Sequence, residues 1–261
     1  MNNYYITTEN MCVGYGGEPV VRQIGIALQK GEILTLIGPN GAGKSTVLKS
    51  IARQLGLLGG TVYLRKECLA QIPAGELAKR MAAVFTQKEK AELKTCRDVV
   101  AAGRYPYTGW FGILSKEDER VVDEVMELAR ITELAEQEFD KASDGQRQRV
   151  MLARAMCQEP EILVLDEPAS YLDIRYQLEF LSFLQEMREK KGLTVVMSMH
   201  ELELARLVSD KILCLKGEYV ERYGTPEEVF QPDFIKRLFD LSERSFIGNE
   251  KLLAYIRQIA K

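Results

Sequence analysis

A glycine-rich segment placed directly after an apolar run is the feature that most constrains this chain. The segment reads Gly38-Pro39-Asn40-Gly41-Ala42-Gly43-Lys44-Ser45-Thr46, and the preceding run holds Ile33, Leu34, Leu36 and Ile37. A glycine, four residues and then Gly-Lys-Ser predict a strand, a phosphate-binding loop and a helix, in that order. We therefore expect an α/β fold with a nucleotide site at the end of this strand.

The residue types of the loop fit phosphate chemistry. Its glycines let the backbone N–H groups converge on phosphate oxygens. The ammonium of Lys44 supplies a positive charge to the β- and γ-phosphates, and the hydroxyl of Ser45 can reach a magnesium ion. By itself, the loop identifies only a nucleotide-binding protein.

Two further strands are predicted to end in chemically active side chains. Ile162-Leu163-Val164-Leu165 is followed by Asp166 and Glu167, and Thr194-Val195-Val196-Met197-Ser198-Met199 leads to His200, the single histidine. An apolar run that ends in carboxylates indicates a buried parallel strand whose carboxyl end lies at the ligand-binding edge of the sheet. Taken alone, Asp166 and Glu167 would fit the polar end of any strand, and His200 would fit a structural histidine.

A third motif, Ser143-Asp144-Gly145-Gln146, precedes a helical pattern that carries Val150, Leu152, Ala153 and Met156. Ser143 and Gln146, three residues apart, form a capping box, which predicts the start of a helix. The free N–H groups at such a helix start also bind anions. The structural and the functional interpretation therefore predict the same local geometry.

These motifs, together with Gln87 after the strand-like segment 82–86 and with Ser170-Tyr171-Leu172-Asp173, resemble the ATPase subunit of ABC transporters. The resemblance extends from Tyr15 to about Phe230. It implies an α/β fold of the P-loop NTPase type, with a RecA-like parallel sheet core, an N-terminal antiparallel β subdomain and an inserted α-helical subdomain. It also implies ATP and Mg²⁺ as cofactors.

The resemblance implies roles for individual residues. The catalytic ones are Glu167 beside the attacking water, His200 and Lys44 at the γ-phosphate, and Gln87, which senses that phosphate and couples to the membrane partner. The Mg²⁺ ligands are Ser45, Gln87 and Asp166. The nucleotide contacts are Tyr15, which would stack on adenine, the loop from Gly38 to Thr46, and Ser143, Gly145, Gln146 and Asp173. On its own, Tyr15 would fit a core or turn position, and Gln87 a surface glutamine.

In the family, the Ser143 segment faces the γ-phosphate of ATP bound by the opposite subunit. The resemblance therefore implies a head-to-tail homodimer with two ATP molecules between its subunits. Here Ala142 stands where the family usually has leucine, and Asp144 where it has glycine. Asp144 suits the helix dipole but puts a carboxylate near a phosphate. We hypothesise that its side chain points away from the nucleotide.

The segment 99–107, which ends in Gly103-Arg104-Tyr105-Pro106-Tyr107, resembles the corresponding segment of importers for iron-siderophores, haem and cobalamin. Residues 233–239 also resemble this subgroup. Such importers combine the ATPase dimer with two transmembrane permease subunits on other chains and receive substrate from an extracytoplasmic binding protein. The resemblance thus implies a peripheral location on the cytoplasmic face of the membrane. From the residues alone, Gly-Arg-Tyr-Pro would also fit a helix end, with the arginine bonded to terminal carbonyls.

The order of patterns predicts one nucleotide-binding domain over residues 1–261, because the single phosphate loop and the lack of an internal repeat argue against a tandem pair. The chain up to about Leu28, with 60–64, is predicted to form an antiparallel entry sheet. Helical spacing predicts a helical insert over about 91–157, on the basis of Val121, Val122, Val125, Met126, Leu128 and Ala129. Thr225 is predicted to cap a C-terminal helical tail over about 226–261.

Composition excludes several other classes. The net charge of −3, from 35 basic and 38 acidic residues, provides no polybasic field, so no nucleic-acid partner is expected. Five scattered cysteines suit neither a disulfide framework nor a metal site and fit a reducing cytosol. We expect no signal peptide and no membrane-spanning segment.

Alternative functions remain open at this point. The motifs for hydrolysis fit another importer or an exporter equally well. A soluble ABC ATPase of DNA repair or of the ribosome would usually carry a long inserted coiled coil or two nucleotide domains, and neither pattern occurs here. A nucleotide-regulated binding module without turnover would not need Glu167. Nothing in the sequence identifies the transported ligand.

Overall fold

The structure is a computed structural model that describes residues 4–85, 94–109, 111–170 and 172–241. Its strands are β1 (Ile6–Tyr15), β2 (Glu18–Ile24), β3 (Ala27–Leu28), β4 (Ile33–Ile37), β5 (Leu57–Leu64), β6 (Glu67–Cys68), β7 (Met81–Val84), β8 (Ile162–Leu165), β9 (Thr194–Ser198), β10 (Lys211–Lys216) and β11 (Tyr219–Gly224). Its α-helices are α1 (Lys44–Ile51), α2 (Ala74–Arg80), α3 (Cys96–Ala101), α4 (Lys116–Leu128), α5 (Asp144–Cys157), α6 (Ile174–Lys191), α7 (Leu202–Val208), α8 (Pro226–Val229) and α9 (Pro232–Leu238).

One curled sheet joins the strands of the described chain in the order β6-β5-β1-β2-β11-β10-β4-β9-β8-β7, with β3 beside β1. Strands β10, β4, β9, β8 and β7 pair in parallel, whereas β1, β2, β5 and β6 pair antiparallel. The two parts meet where β11 pairs with β2 through Tyr219 and Arg22. This topology confirms the predicted α/β fold with a parallel core and an antiparallel N-terminal part.

The central strands are apolar because both of their faces are covered. Every residue of β4, β8 and β9 is buried. Along β8, Leu163 belongs to the hydrophobic core on one side of the sheet, and Val164 belongs to the core on the other side. Continuous apolar runs are characteristic of such doubly covered parallel strands. The first polar side chains after each run therefore emerge at the carboxyl edge of the sheet.

The entry sheet begins with a tight hairpin. Tyr15 pairs with Glu18, and Gly16 and Gly17 between them have φ angles of 60° and 87°. Two successive residues with positive φ are what a two-residue hairpin turn requires, and glycine adopts them without strain. The strand predicted over 60–64 is longer than expected, since β5 spans Leu57–Leu64 and pairs with β1.

Among the described residues between β7 and β8 there are three α-helices, and each starts with a reciprocal capping box. Thr95 caps α3, Ser115 caps α4 and Ser143 caps α5. The buried face of α4 carries four of the residues that predicted it, Val121, Val122, Val125 and Met126, and Ala129 follows its last turn. The extent of a separate helical insert over 91–157 stays a prediction, and residues 91–93 lie outside the described chain.

The C-terminal helices pack on the parallel part of the sheet. The Thr225 side chain accepts a hydrogen bond from the Glu228 N–H at the start of α8, so the predicted cap is present. Phe234, Ile235 and Leu238 of α9 belong to the same core as Leu163. Residues 242–261, the remainder of the predicted helical tail, lie outside the described chain.

Candidate functional site

The phosphate-loop segment runs from the end of β4 to the start of α1, and its glycines are required by close contacts. A Cβ on Gly38 would lie 2.2 Å from the Leu215 carbonyl oxygen. Gly43 has φ 89°, and a Cβ there would lie 2.6 Å from a Val21 methyl and 2.8 Å from a Val20 methyl. The loop is therefore packed against β10 on one side and the β2 hairpin on the other. Larger residues at these two glycines would displace the backbone.

Lys44 is buried inside this loop. Its Nζ donates to the Gly38 carbonyl oxygen at 2.8 Å and to the Pro39 carbonyl oxygen at 3.1 Å. Burial lowers the pKa of its ammonium, and the nearby carboxylates of Glu167 and Asp166 oppose that change. The amine thus lies within the curve of the loop, where a positive charge faces any phosphate that the loop N–H groups bind.

Asp166 and Glu167 follow β8 directly, at the carboxyl edge of the sheet. Asp166 is almost fully buried. Its Oδ1 accepts a hydrogen bond of 2.7 Å from the Ser198 hydroxyl, and the same hydroxyl accepts one of 2.9 Å from the Glu167 N–H. Ser198 therefore connects the two acidic residues to the end of β9.

Glu167 has a left-handed backbone conformation, with φ 50°. Such a conformation costs a residue other than glycine about 1–3 kcal/mol and persists only where surrounding contacts hold it. Its Oε1 lies 2.6 Å from the His200 Nε2, and its Oε2 accepts a longer bond of 3.4 Å from the Ser170 hydroxyl. The structure thus places Asp166 and Glu167 near Lys44, and Glu167 in contact with His200, while their catalytic roles stay predictions.

The Ser143 segment starts α5 with the predicted capping box. The Ser143 hydroxyl accepts from the Gln146 N–H at 3.3 Å, and the Gln146 Oε1 accepts from the Ser143 N–H at 2.9 Å. The Asp144 Oδ1 accepts a bond of 2.6 Å from Arg147. Further along α5, the Gln148 amide donates to the Pro168 carbonyl oxygen at 3.0 Å. The segment is therefore linked to the chain that follows Glu167, while its relation to a nucleotide stays a prediction.

The sequence also predicts three further site residues, Tyr15, Asp173 and Gln87. Tyr15 ends β1 at the hairpin whose second strand touches Gly43, and about half of its surface is exposed. Asp173 caps α6, accepting a bond of 3.1 Å from the Tyr176 N–H. Gln87 lies outside the described residues. Stacking by Tyr15, nucleotide contact by Asp173 and coupling by Gln87 stay predictions.

The sequence did not single out Ser198 as a site residue. The signal was available, since Ser198 is a small polar residue in a run that is otherwise almost entirely apolar, two positions before His200. Most hydroxyls buried in such a run have at least one hydrogen-bond partner. The pattern alone does not say which ones.

A second group that the sequence did not predict as a network surrounds Arg104. This buried guanidinium donates to Asp118 Oδ1 at 2.9 Å, to Glu159 Oε2 at 2.8 Å and to the Cys157 carbonyl oxygen at 2.8 Å. It also lies 4.0 Å from the centre of the Tyr107 ring. The bond to Cys157 matches the expectation that the arginine binds terminal carbonyls, although the carbonyl belongs to the end of α5. Arg104 thus joins the segment after α3 to α4 and α5.

The described residues bear on two properties, membrane spanning and metal binding. No helix in them is both long enough and apolar enough to cross a bilayer. Nor do they contain a group of three His, Cys, Asp or Glu side chains that could hold a metal ion. An Asp and a hydroxyl suit Mg²⁺, which commonly takes few protein ligands and completes its shell with phosphates and water. Asp166 and Ser45 fit that requirement.

Comparison with known proteins relates this chain to the ATP-binding subunits of ABC transporters. The family model described as ABC transporter matches residues 21–170. An uncharacterised ABC transporter ATP-binding protein of Methanocaldococcus jannaschii is 41% identical over 92% of this chain and 83% of its own length. The iron(3+)-hydroxamate import ATP-binding protein of Bacillus subtilis is 38% identical over 90% of this chain and 88% of its own length. The ferric enterobactin transport ATP-binding protein of Escherichia coli is 34% identical over 89% and 86%.

Solved structures show the same similarity. A metal-chelate type ABC transporter in an inward-facing conformation contains a chain with a TM-score of 0.80 and 27% identity, covering 92% of this chain and 90% of that one. A dimeric ATP-binding cassette in a post-hydrolysis state, bound to ADP and Pi, has a TM-score of 0.75 and 27% identity, covering 85% and 98%. The similarity therefore extends well beyond the matched motifs.

Proposed function

Since this chain belongs to the ATP-binding subunits of ABC transporters, which hydrolyse ATP, we propose that it powers the import of a ferric siderophore across the cytoplasmic membrane. The observation that carries the choice of cargo is the likeness to the iron(3+)-hydroxamate import protein over 90% of the chain. Haem and cobalamin are the next cargo classes. The chain itself need not touch the cargo, because its work is to hydrolyse ATP and move its membrane partners.

Hydrolysis is assigned to the groups at the carboxyl edge of the sheet. Glu167 orients or deprotonates the attacking water, and its contact with His200 keeps the carboxylate directed into the site. His200 then contacts the γ-phosphate. Lys44, now bonded to the loop carbonyls of Gly38 and Pro39, turns to the β- and γ-phosphates when ATP is bound.

Magnesium would be held by Ser45 and Asp166, with Gln87 as a third ligand from outside the described residues. When bound, the ion neutralises the negative charge that collects on the phosphates during the reaction. Asp166 suits this role because its Oδ1 is already bonded to Ser198, which fixes the plane of its carboxylate.

A complete site requires a second copy of the chain. We assign the N–H groups at the start of α5, with Ser143, Gly145 and Gln146, to the γ-phosphate of ATP held by the partner's loop. A helix start is a ready anion site. Tyr15 stacks on the adenine, and Asp173 contacts the nucleotide. The closed dimer thus holds two ATP molecules, and hydrolysis lets the subunits separate.

The permease pair is proposed to dock on the loop between α3 and α4. Phe111, Ile113 and Tyr105 expose 86%, 76% and 57% of their surface there. Large hydrophobic side chains exposed within one short segment support an interaction surface there. Arg104 fixes the base of this loop through Asp118 and Cys157. The permeases would keep the chain at the cytoplasmic face and receive cargo from an external binding protein.

An uptake assay tests this proposal. Cells that lack the native chain are supplied with wild type or with Glu167→Gln, and the uptake of radioactive iron as a ferric siderophore is measured beside that of haem and cobalamin. We expect siderophore uptake with wild type and none with Glu167→Gln. If wild type takes up only haem or cobalamin, that compound is the cargo instead. Siderophore uptake by Glu167→Gln at the wild-type level would contradict the motor role.

A further inference from the structure

Ser198 is a buried hydroxyl in the centre of the molecule. It is the last residue of β9, and none of its surface is exposed. The preceding residues Val195, Val196 and Met197 are apolar and equally buried. Most hydroxyls at such positions bond to a protein group or to ordered water.

Its hydroxyl uses both of its hydrogen-bonding capacities on consecutive acidic residues. It donates to Asp166 Oδ1 at 2.7 Å, and it accepts from the Glu167 N–H at 2.9 Å. The donated bond fixes the rotation of the Asp166 carboxylate. The accepted bond holds the backbone of Glu167 at the residue where φ is 50°.

The backbone of Ser198 is held from the opposite side. Ser198 pairs with Leu36 of β4, the strand that leads into the phosphate loop. The next N–H, that of Met199, donates to the Leu36 carbonyl oxygen at 3.2 Å. The ladder between β8 and β9 ends at Leu165 and Met197. Beyond that pair, the Ser198 hydroxyl bonds to both acidic residues, and the His200 side chain contacts Glu167. Ser198 therefore joins the loop strand to the Asp166 carboxylate and to the backbone of Glu167.

We propose that Ser198 is a positioning residue for ATP hydrolysis, which holds Asp166 and Glu167 in fixed orientation relative to the phosphate loop. It acts through the Asp166 carboxylate and the Glu167 backbone, and it touches no substrate. This inference rests on the proposed role of Glu167. Without the hydroxyl, Glu167 can relax from its left-handed conformation and Asp166 can rotate, because strained backbone persists only where its surroundings hold it.

A different role for the same hydroxyl would be to satisfy buried polar groups for the sake of stability. The two roles predict different measurements. Loss of a structural bond lowers the melting temperature and leaves kcat unchanged for the molecules that stay folded. Loss of positioning lowers kcat while the KM for ATP stays nearly constant, since the phosphate loop binds as before.

The test compares four variants of the full chain. Ser198→Ala removes the hydroxyl. Ser198→Thr and Ser198→Val have side chains of the same shape, but Thr keeps the hydroxyl and Val has a methyl group in its place. Ser209→Ala is the control. It removes another serine hydroxyl, which lies 2.6 Å from the hydroxyl of Thr35 in β4. We expect kcat to fall at least about tenfold in the Ala and Val variants, with KM within about twofold of wild type. The Thr variant and the control should stay close to wild type.

A second measurement does not depend on turnover. Hydrogen exchange at the Glu167 amide, followed by NMR, should become faster in the Ser198→Val variant than in the Ser198→Thr variant, with the control unchanged. Equal kcat in these two variants, or unchanged protection of the Glu167 amide, would overturn the inference. Glu167→Gln is assayed alongside. If that variant hydrolyses ATP normally, the proposed role of Glu167 has failed instead.

Discussion

The carboxyl edge of the parallel sheet and the loop between α3 and α4 use opposite means to present their side chains. At the sheet edge, fully buried strands and backbone contacts hold Lys44, Asp166 and Glu167. In the loop, one buried guanidinium fixes the base, while Phe111 and Ile113 extend into solvent. The first arrangement suits chemistry, which requires fixed geometry. The second suits a partner, which requires accessible apolar surface.

This difference implies that catalysis and partner binding fail independently. A change at the sheet edge should remove hydrolysis and leave the outer surface intact. A change in the loop should remove partner binding and leave the chemistry intact.

The largest effect is expected from Glu167→Gln. The amide keeps the shape of the side chain but cannot act as a base, and such help is worth about 10²–10⁴ in rate. ATP binding should persist, because the phosphate loop is unchanged. Phosphate release and equilibrium ATP binding measure the two properties, with the exposed Glu203→Gln as control. Normal hydrolysis by the Glu167 variant would refute the assignment.

Arg104→Met should cause the largest loss of stability. It leaves the buried Asp118 without its guanidinium, and breaking such a pair from one side costs about 3–5 kcal/mol. Chemical denaturation measures the free energy of unfolding. The control Arg120→Met removes exposed ion pairs with Glu117 and Glu124 on the outside of α4, and no measurable change is expected there. Equal losses in both variants would show that burial is not the deciding factor.

Tyr15→Ala should weaken ATP binding without abolishing it. Stacking of an aromatic side chain on a base contributes about 1–3 kcal/mol. Because stacking needs only the ring, Tyr15→Phe should bind nearly as well as wild type. Isothermal titration with a non-hydrolysable ATP analogue compares the three proteins. An unchanged Kd for the Ala variant would remove Tyr15 from the site.

A smaller effect is expected from pH. The Ser115 hydroxyl and N–H donate to Asp118 and hold its pKa below the ordinary value, with Arg104 adding to the effect and burial opposing it. A carboxylate with a lowered folded pKa stabilises the protein above its unfolded pKa, about 3.9, and this contribution is lost as pH falls below that value. Asp118→Asn should therefore show a weaker dependence of unfolding free energy on pH below about 4. An identical slope in both proteins would contradict this account.

The smallest change is expected from Asp144→Gly. The Asp144 carboxylate is bonded to Arg147, and exposed pairs of this kind contribute little. ATP affinity and turnover should therefore stay within about fivefold of wild type. A many-fold rise in both would mean that the carboxylate faces the nucleotide and opposes its binding.

Short-range patterns made much of the site predictable. The loop glycines, the cap at Ser143 and the carboxylates after β8 each depend on a few consecutive residues, so the sequence encodes them directly. Their convergence follows from a general property of parallel sheets, whose carboxyl ends share one edge. The sequence therefore predicts that the residues after β8 and β9 lie near the loop after β4. These residues are Asp166, Glu167 and His200, and the loop carries Lys44.

Other features depend on contacts between distant parts of the chain. Ser198 reaches Asp166 across 32 positions, and Arg104 reaches Cys157 across 53. Neither partner can be read from local spacing. The joining of β2 to β11 is also a long-range pairing, which turns two predicted sheets into one curled sheet. Such features can be identified only from the three-dimensional structure.

Hydrolysis and membrane coupling are assigned here to separate regions of the molecule, and one pair of variants tests this assignment. Phe111→Asp and Glu167→Gln are expressed in native cells, with Phe111→Tyr as control. For each variant, the amount of chain that co-purifies with permease subunits is measured beside the ATP turnover of the purified chain. We predict that Phe111→Asp loses the permeases and keeps its turnover, whereas Glu167→Gln keeps the permeases and loses turnover. Retention of the permeases by Phe111→Asp, or joint loss of both properties in either variant, would contradict this assignment.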